Sequence, residues 1–156
     1  MMDLTIYNFR RIDDFLGTSG MPERAHFAGI AQAGYQAVIN LALDTSSGQL
    51  PDESRVVQDL GMAYIHIPVV WENPQMSDLI RFFQAMDSLR GQKVFVHCVA
   101  NYRVSAFVYL YRSLRLGVPE EQARQDLHSL WTPDGIWAEL IEAAQAIDWQ
   151  DGENTI

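Results

Sequence analysis

Lys93-Val94-Phe95-Val96-His97-Cys98-Val99-Ala100-Asn101-Tyr102-Arg103-Val104-Ser105 contains the only cysteine of the 156-residue chain. Residues 94–96 form a short apolar run that reads as a buried strand, and residues 104–116 carry apolar side chains at helical spacing. Cys98 therefore falls in the turn between a strand and a helix. Main-chain N–H groups and the positive end of the helix dipole converge on such a turn, and both favour an anion there. The same donors stabilise a thiolate and hold an incoming oxyanion. Cys98 reads as a nucleophile, and Arg103, with its planar fork of donors, as the clamp on charged oxygens. A lone cysteine is most often just a small buried hydrophobe. His97 beside it, the strand-to-helix position and the arginine five residues on set this one apart.

The flanking sequence alternates short strands with helices. Residues 15–18 read as a strand, and Ser19-Gly20-Met21-Pro22-Glu23 as the start of a helix that Gly34 ends. Residues 38–41 form a second buried strand. Pro51-Asp52-Glu53 opens a helix that stops at Gly61, and residues 64–69 form another strand. Asn73-Pro74 breaks the chain, and Ser77 is placed to cap a helix through Leu89. Beyond the cysteine turn, helices are expected over residues 118–130 and 134–147. The whole predicts an α/β domain with a compact, mainly parallel central sheet of about four to five strands flanked by about six helices. In such sheets, ligands bind beyond the carboxyl ends of the strands. Cys98, Asp44 and the loop 70–74 all follow strands, so they can meet in one crevice. Asp44 reads as a residue that orders its loop.

Size and charge narrow the partners. The length suits one domain over residues 1–149 with a frayed polar tail at 150–156. A net charge of −9 disfavours nucleic acid and confines any anion site to a local feature. One cysteine cannot form an internal disulfide, which suits a reducing compartment. No apolar run approaches membrane-spanning length, and Met1-Met2-Asp3-Leu4-Thr5 lacks a basic region ahead of an apolar core. These features predict a soluble, cytoplasmic protein, and they leave oligomeric state undetermined. His26, His66, His97 and His128 show no ligand spacing, so no metal or cofactor is expected. His66, in a strand-like run, reads as structural. Trp131, Trp137 and Trp149 read as packing for the C-terminal helices, and the stripe Ala106, Tyr109, Leu110, Leu114 as core.

His97-Cys98 after a valine-rich strand, followed by an arginine and Ser105, resembles the protein-tyrosine-phosphatase superfamily and its compact dual-specificity branch. The upstream stretches Thr18-Ser19-Gly20-Met21-Pro22, Gly34-Tyr35-Gln36-Ala37-Val38-Ile39-Asn40-Leu41 and Tyr64-Ile65-His66-Ile67-Pro68-Val69 fit as well. Together they are similar to a bacterial family of small phosphatase-like proteins, sometimes fused to β-lactamase-like hydrolases. The resemblance covers about residues 12–117 and implies a phosphatase of phosphotyrosine, in a phosphorylated protein, or of another small phosphomonoester. It implies that Cys98 attacks phosphorus and forms a phosphocysteine. The amides of Val99, Ala100, Asn101, Tyr102 and Arg103 would hold the phosphoryl oxygens. Arg103 would also stabilise the transition state, Ser105 would help the thiolate leave, and His97 would tune Cys98 from behind the loop. The general acid of such enzymes is an aspartate on a neighbouring loop. Here Glu72, in Trp71-Glu72-Asn73-Pro74, is the best-placed acid, with Asp78 the other candidate. Trp71 is placed to line the substrate pocket.

The superfamily signature puts five residues between cysteine and arginine; here there are four. Asn101 stands where the mid-loop glycine is usual, a mild change because asparagine tolerates the left-handed conformation. The shorter loop resembles the rhodanese pattern, which keeps open a sulfurtransferase carrying a persulfide on Cys98. The altered arginine spacing also keeps open a non-catalytic anion-binding or interaction module.

Overall fold

The computed structural model describes residues 5–149. The tail expected to fray, 150–156, lies outside the described residues, as do the first four residues of the N-terminal stretch. Five strands, β1 (Arg10–Asp13), β2 (Leu16–Ser19), β3 (Ala37–Asn40), β4 (Ala63–His66) and β5 (Val94–His97), form one sheet in the order β1-β2-β5-β3-β4. β1 pairs antiparallel with β2; every other pairing is parallel. β5 is central, and each residue of β2, β3 and β5 is buried. Strands covered on both faces need not alternate, so their sequences read as nearly continuous apolar runs.

One row across this sheet is polar. Ser19 pairs with His97, His97 with Asn40, and Asn40 with His66, all at the carboxyl ends of parallel strands. The rows beneath it are apolar apart from Thr18 and the edge-strand Tyr64. The sheet thus changes chemistry at the edge where α/β proteins place their ligands.

Six helices cover the sheet: α1 (His26–Gln32), α2 (Glu53–Asp59), α3 (Met76–Ser88), α4 (Tyr102–Leu114), α5 (Glu120–His128) and α6 (Gly135–Gln145). Phe27 and Ile30 of α1 and Val57 of α2 pack with Val38 and Phe95 on one face. The larger core lies on the other face, where Phe82, Phe83, Phe107, Leu110 and Trp137 meet Ile39 and Val96. Val38 and Ile39, like Phe95 and Val96, point to opposite faces because strand side chains alternate. α4 is buried from Arg103 to Arg112, so it is wrapped by helices as well as by the sheet.

Several element boundaries differ from the sequence expectation for local physical reasons. β1 was not expected; its alternating exposure and two arginines mark an edge strand. α1 starts at His26, because the N–H of Gly20 donates to Tyr7 O (2.7 Å) and that of Met21 to Val99 O (2.9 Å). These bonds hold the segment extended. Gln75, not Ser77, caps α3, and the Asp78 carboxylate accepts the Gln75 N–H at 3.0 Å in a capping box. Ladder pairing of β4 ends at His66, although Ile67 and Val69 still donate to Asn40 O and Leu41 O.

Gly20 stands where two backbones nearly touch. A Cβ there would lie 2.5 Å from Val99 O and 2.8 Å from the Tyr7 ring. Gly20→Ala is expected to destabilise the fold by about 1–3 kcal/mol through forced backbone movement. Urea denaturation of the variant against the parent measures it.

Candidate active site

The chain from Cys98 to Val104 is organised by which of its peptide groups have partners. The carbonyls are occupied. Val99 O accepts from the Met21 N–H at 2.9 Å, and Ala100 O from Asn8 Nδ2 at 2.9 Å. Asn101 O accepts from the Ser105 N–H at 3.0 Å, and Tyr102 O from the Ser105 hydroxyl at 2.9 Å. His97 Nδ1 lies 3.3 Å from Cys98 O. The amides are free: among the described residues, no acceptor takes the N–H groups of residues 99 through 104. Only the Cys98 N–H is used, on Ser19 O at 3.3 Å. A run of unpaired main-chain donors at a helix N-terminus is an anion nest.

Asn101 makes the turn possible. It holds φ 68° and ψ 10°, the left-handed region. Its buried side chain donates to Asn8 O at 2.9 Å and Thr18 Oγ1 at 3.0 Å. Asn8, itself at φ 54°, returns a bond to Ala100 O. The two bonds tie Ala100 and Asn101 to the N-terminal segment, that from Asn101 across 93 residues of sequence.

Arg103 supplies the charge. It is 6% exposed, and its Nη1 donates to Val69 O at 2.8 Å. No acceptor among the described residues takes its other N–H groups, and no carboxylate pairs with it. Arg112 is equally buried, yet it has Asp126 at 2.7 Å. Arg115, also largely covered, has Asp87 at 2.8 Å. A buried guanidinium without a counter-ion is costly, and an anion bound between it and the free amides removes that cost. Cys98, 1% exposed, opens the same loop.

The other residues singled out in the sequence fall as follows. His97 is fully buried behind the loop, with Nε2 2.6 Å from Glu53 Oε2. Ser105 is buried; its hydroxyl donates to Tyr102 O and accepts from the Trp131 indole N–H at 2.9 Å. Helping a thiolate leave would require that hydroxyl to turn from the Tyr102 carbonyl. Trp71 is 38% exposed and packs with Trp131 and Trp137, its ring centroid 6.3 Å from that of Tyr102. Tyr102 stacks on Trp131 at 5.2 Å. Trp131 therefore buttresses the loop as well as packing the C-terminal helices. Glu72 is exposed on the loop before α3. Asp78 is engaged by the α3 cap and by Arg81 at 2.9 Å. Asp44 lies 3.8 Å from His66, whose Nε2 sits 2.6 Å from Ala42 O, so both order the loop after β3.

Sequence reasoning missed Glu53, Asn8 and Gly20. Glu53 looked like an ordinary first-turn acid. Asn8 precedes the expected structured region, and nothing in its neighbourhood marks it. Gly20, between Ser19 and Met21-Pro22, was read as part of a helix start.

The mixed sheet, with its cysteine-bearing loop between the central strand and a buried helix, has the fold of a protein-tyrosine-phosphatase-superfamily domain of the dual-specificity-like form. No family model matches the chain, and no curated protein matches it. Among solved structures, a DUF442 protein from Shewanella putrefaciens CN-32 is 38% identical over 91% of this chain and 93% of its own, with a TM-score of 0.82. The chain belongs to this DUF442 family of phosphatase fold. TpbA of P. aeruginosa, solved in complex with pTyr, is 15% identical with a TM-score of 0.65, covering 94% of this chain and 95% of its own. PTPMT1, solved in complex with PI(5)P, is 16% identical with a TM-score of 0.76, covering 95% and 99%. At those identities the likeness is one of fold. No helix among the described residues is long and apolar enough to cross a membrane.

Two substitutions separate the roles of Asn101. Asn101→Gly keeps the left-handed backbone and loses the side-chain bonds. Asn101→Ala loses both, and is expected to be less stable than the glycine variant by about 1 kcal/mol. Urea midpoints of the two variants give the difference.

Proposed function

We propose that the protein is a cysteine-dependent phosphatase acting on phosphotyrosine or another phosphomonoester. The observation that carries this reading is the pairing of free amides from residues 99 through 104 with a buried, uncompensated Arg103 around Cys98. The amides and Arg103 hold the phosphoryl oxygens, and binding in this charge-complementary nest sets phosphorus against the sulfur. The Cys98 thiolate attacks phosphorus, the ester oxygen leaves, and water then hydrolyses the phosphocysteine. Arg103, already fixed by the Val69 carbonyl, meets the charge that builds on the equatorial oxygens. Ser105 turns its hydroxyl to the departing sulfur in the hydrolytic step.

Glu72 is the proposed acid for the leaving oxygen. Asp78 is held by the helix cap and Arg81, whereas the Glu72 carboxylate has no partner among the described residues. Trp71, partly exposed, and Tyr102, next to Arg103 in the chain, form an aromatic surface suited to an aryl or other flat leaving group. The fold shared with proteins solved on pTyr and on PI(5)P supports a phosphomonoester substrate.

Cys98→Ser should abolish hydrolysis of p-nitrophenyl phosphate while phosphate still raises the melting temperature. Arg103→Met should lose both the hydrolysis and that stabilisation. Rapid quench of the wild-type enzyme should trap a phosphoryl group on Cys98. Retention of wild-type activity in Cys98→Ser would end the proposal, and incorporation of one sulfur atom from thiosulfate under turnover would point to sulfur transfer. Glu72→Gln should slow alkyl phosphates by about 10²–10⁴-fold, and nitrophenyl phosphate far less, since its leaving group needs little protonation. Relative rates on the two substrates check this.

A further inference from the structure

Behind the loop, two ionisable side chains are buried against each other. Glu53 is 2% exposed and His97 is fully buried. Glu53 Oε2 lies 2.6 Å from His97 Nε2, and His97 Nδ1 lies 3.3 Å from Cys98 O. The protons follow from the partners. A carbonyl oxygen only accepts, so the contact at Nδ1 is a hydrogen bond in the tautomer that carries a proton there. The short contact between Oε2 and Nε2 needs a second proton, on one atom or the other, because two lone pairs cannot face each other. With Nδ1 protonated the pair is neutral overall, as carboxylate with imidazolium or as carboxylic acid with imidazole. In the ionic form its positive end adjoins Cys98 and its negative end lies on α2.

The surroundings fix this arrangement. Glu53 Oε1 accepts from Gln49 Nε2 at 2.9 Å, which leaves Oε2 for His97. Gln49 Oε1 accepts from Asn40 Nδ2 at 2.9 Å, and the same amide reaches the Tyr64 hydroxyl at 3.1 Å. From α1, the Phe27 ring meets His97 in a T-shaped contact, with centroids 6.2 Å apart. The titratable groups that face the pair are Tyr64 from β4 and Cys98 itself; Asp44 acts on Tyr64. Burial pushes the Tyr64 hydroxyl up, the Asn40 amide draws it down, and the charge and hydrogen bond of Glu53 raise it again. Tyr64 therefore remains a protonated donor toward the carboxylate. Removing such a pair from water costs several kcal/mol, and apolar groups of the same volume would pack without that cost. Stability does not account for it.

We propose that Glu53 is a positioning residue of the active site: by sharing a proton with His97 it fixes Nδ1–H on the Cys98 carbonyl and sets the positive end of the pair against the nucleophile. The proposal rests on Cys98 being that nucleophile, but it is tested without turnover. Glu53→Gln keeps the shape, can donate to Nε2, and leaves His97 neutral. The pH midpoint for alkylation of Cys98 by iodoacetamide is expected to rise by about one unit, a ~10-fold slower reaction below both midpoints. Glu53→Asp, which restores the charge at longer range, should recover part of the shift. An unchanged profile in folded Glu53→Gln overturns the proposal. Should that variant not fold, the ¹⁵N spectrum of wild-type His97 decides: a proton on Nδ1 supports the proposal, and a bare Nδ1 overturns it. A shifted profile in an enzyme that hydrolyses no phosphate ester would leave Glu53 in place and refute the phosphatase alone.

Discussion

The direction of the peptide groups between Cys98 and Val104 governs everything else in the site. Their carbonyls are held by Met21, Asn8 and Ser105, and the N–H groups of residues 99 through 104 have no partner among the described residues. Unpaired buried donors are rare in folded chains because each costs free energy. Here the deficit is concentrated in one turn that also carries Arg103, a buried cation with no counter-ion among the described residues. The fold carries this unmet demand because the external donors to the carbonyls, the left-handed Asn101 and the helix after it over-determine the loop. The donors left over suit an anion, in a chain whose net charge of −9 would repel anions at long range.

Those external donors explain features remote from the chemistry. The segment around Gly20 could have extended α1; it runs straight because Tyr7 and Val99 both bond to it. The N-terminal residues before β1 are part of the scaffold of this loop, since Asn8 donates to Ala100 O and its own carbonyl accepts from Asn101. β1 adds little core of its own, but it returns the chain to β2 with this segment in place. The polar row Ser19–His97–Asn40–His66 gives the second layer. It lies directly beneath the loop and leads, through Gln49 and Glu53, to the first turn of α2.

Much of this was legible in the chain. The Val-rich run into His97-Cys98, with helical spacing after it, fixes the central strand, the turn and α4. Alternating short apolar runs and helices give the parallel sheet, and Asn101 could be read as left-handed from its side chain. What remained hidden depends on tertiary contact. A first-turn glutamate and a buried proton-sharing glutamate look identical in sequence; only the approach of β5 to α2 turns Glu53 into the second. The start of α1 was misread because Pro22 and Glu23 carry a helix signal that backbone bonds to Val99 and Tyr7 override. Ser77 has a better side chain for capping than Gln75, but the reciprocal bond to Asp78 decides the register. That same bond takes Asp78 out of the pool of acids.

The shortened spacing between cysteine and arginine bears on which group the loop accepts. With Asn101 left-handed, the chain enters α4 at Tyr102, and Arg103 is already its second residue. The side chain is then aimed by the Val69 carbonyl, so its position depends on the strand-end segment 67–69 as well as on loop length. A persulfide presents one terminal sulfur, a weak acceptor that needs few donors. A phosphoryl dianion presents three oxygens, each able to take about two hydrogen bonds. The free amides of residues 99 through 104 and the unused N–H groups of Arg103 match the larger demand. A single sulfur atom would leave most of those donors without a protein or ligand acceptor, which favours the phosphoryl reading of the loop.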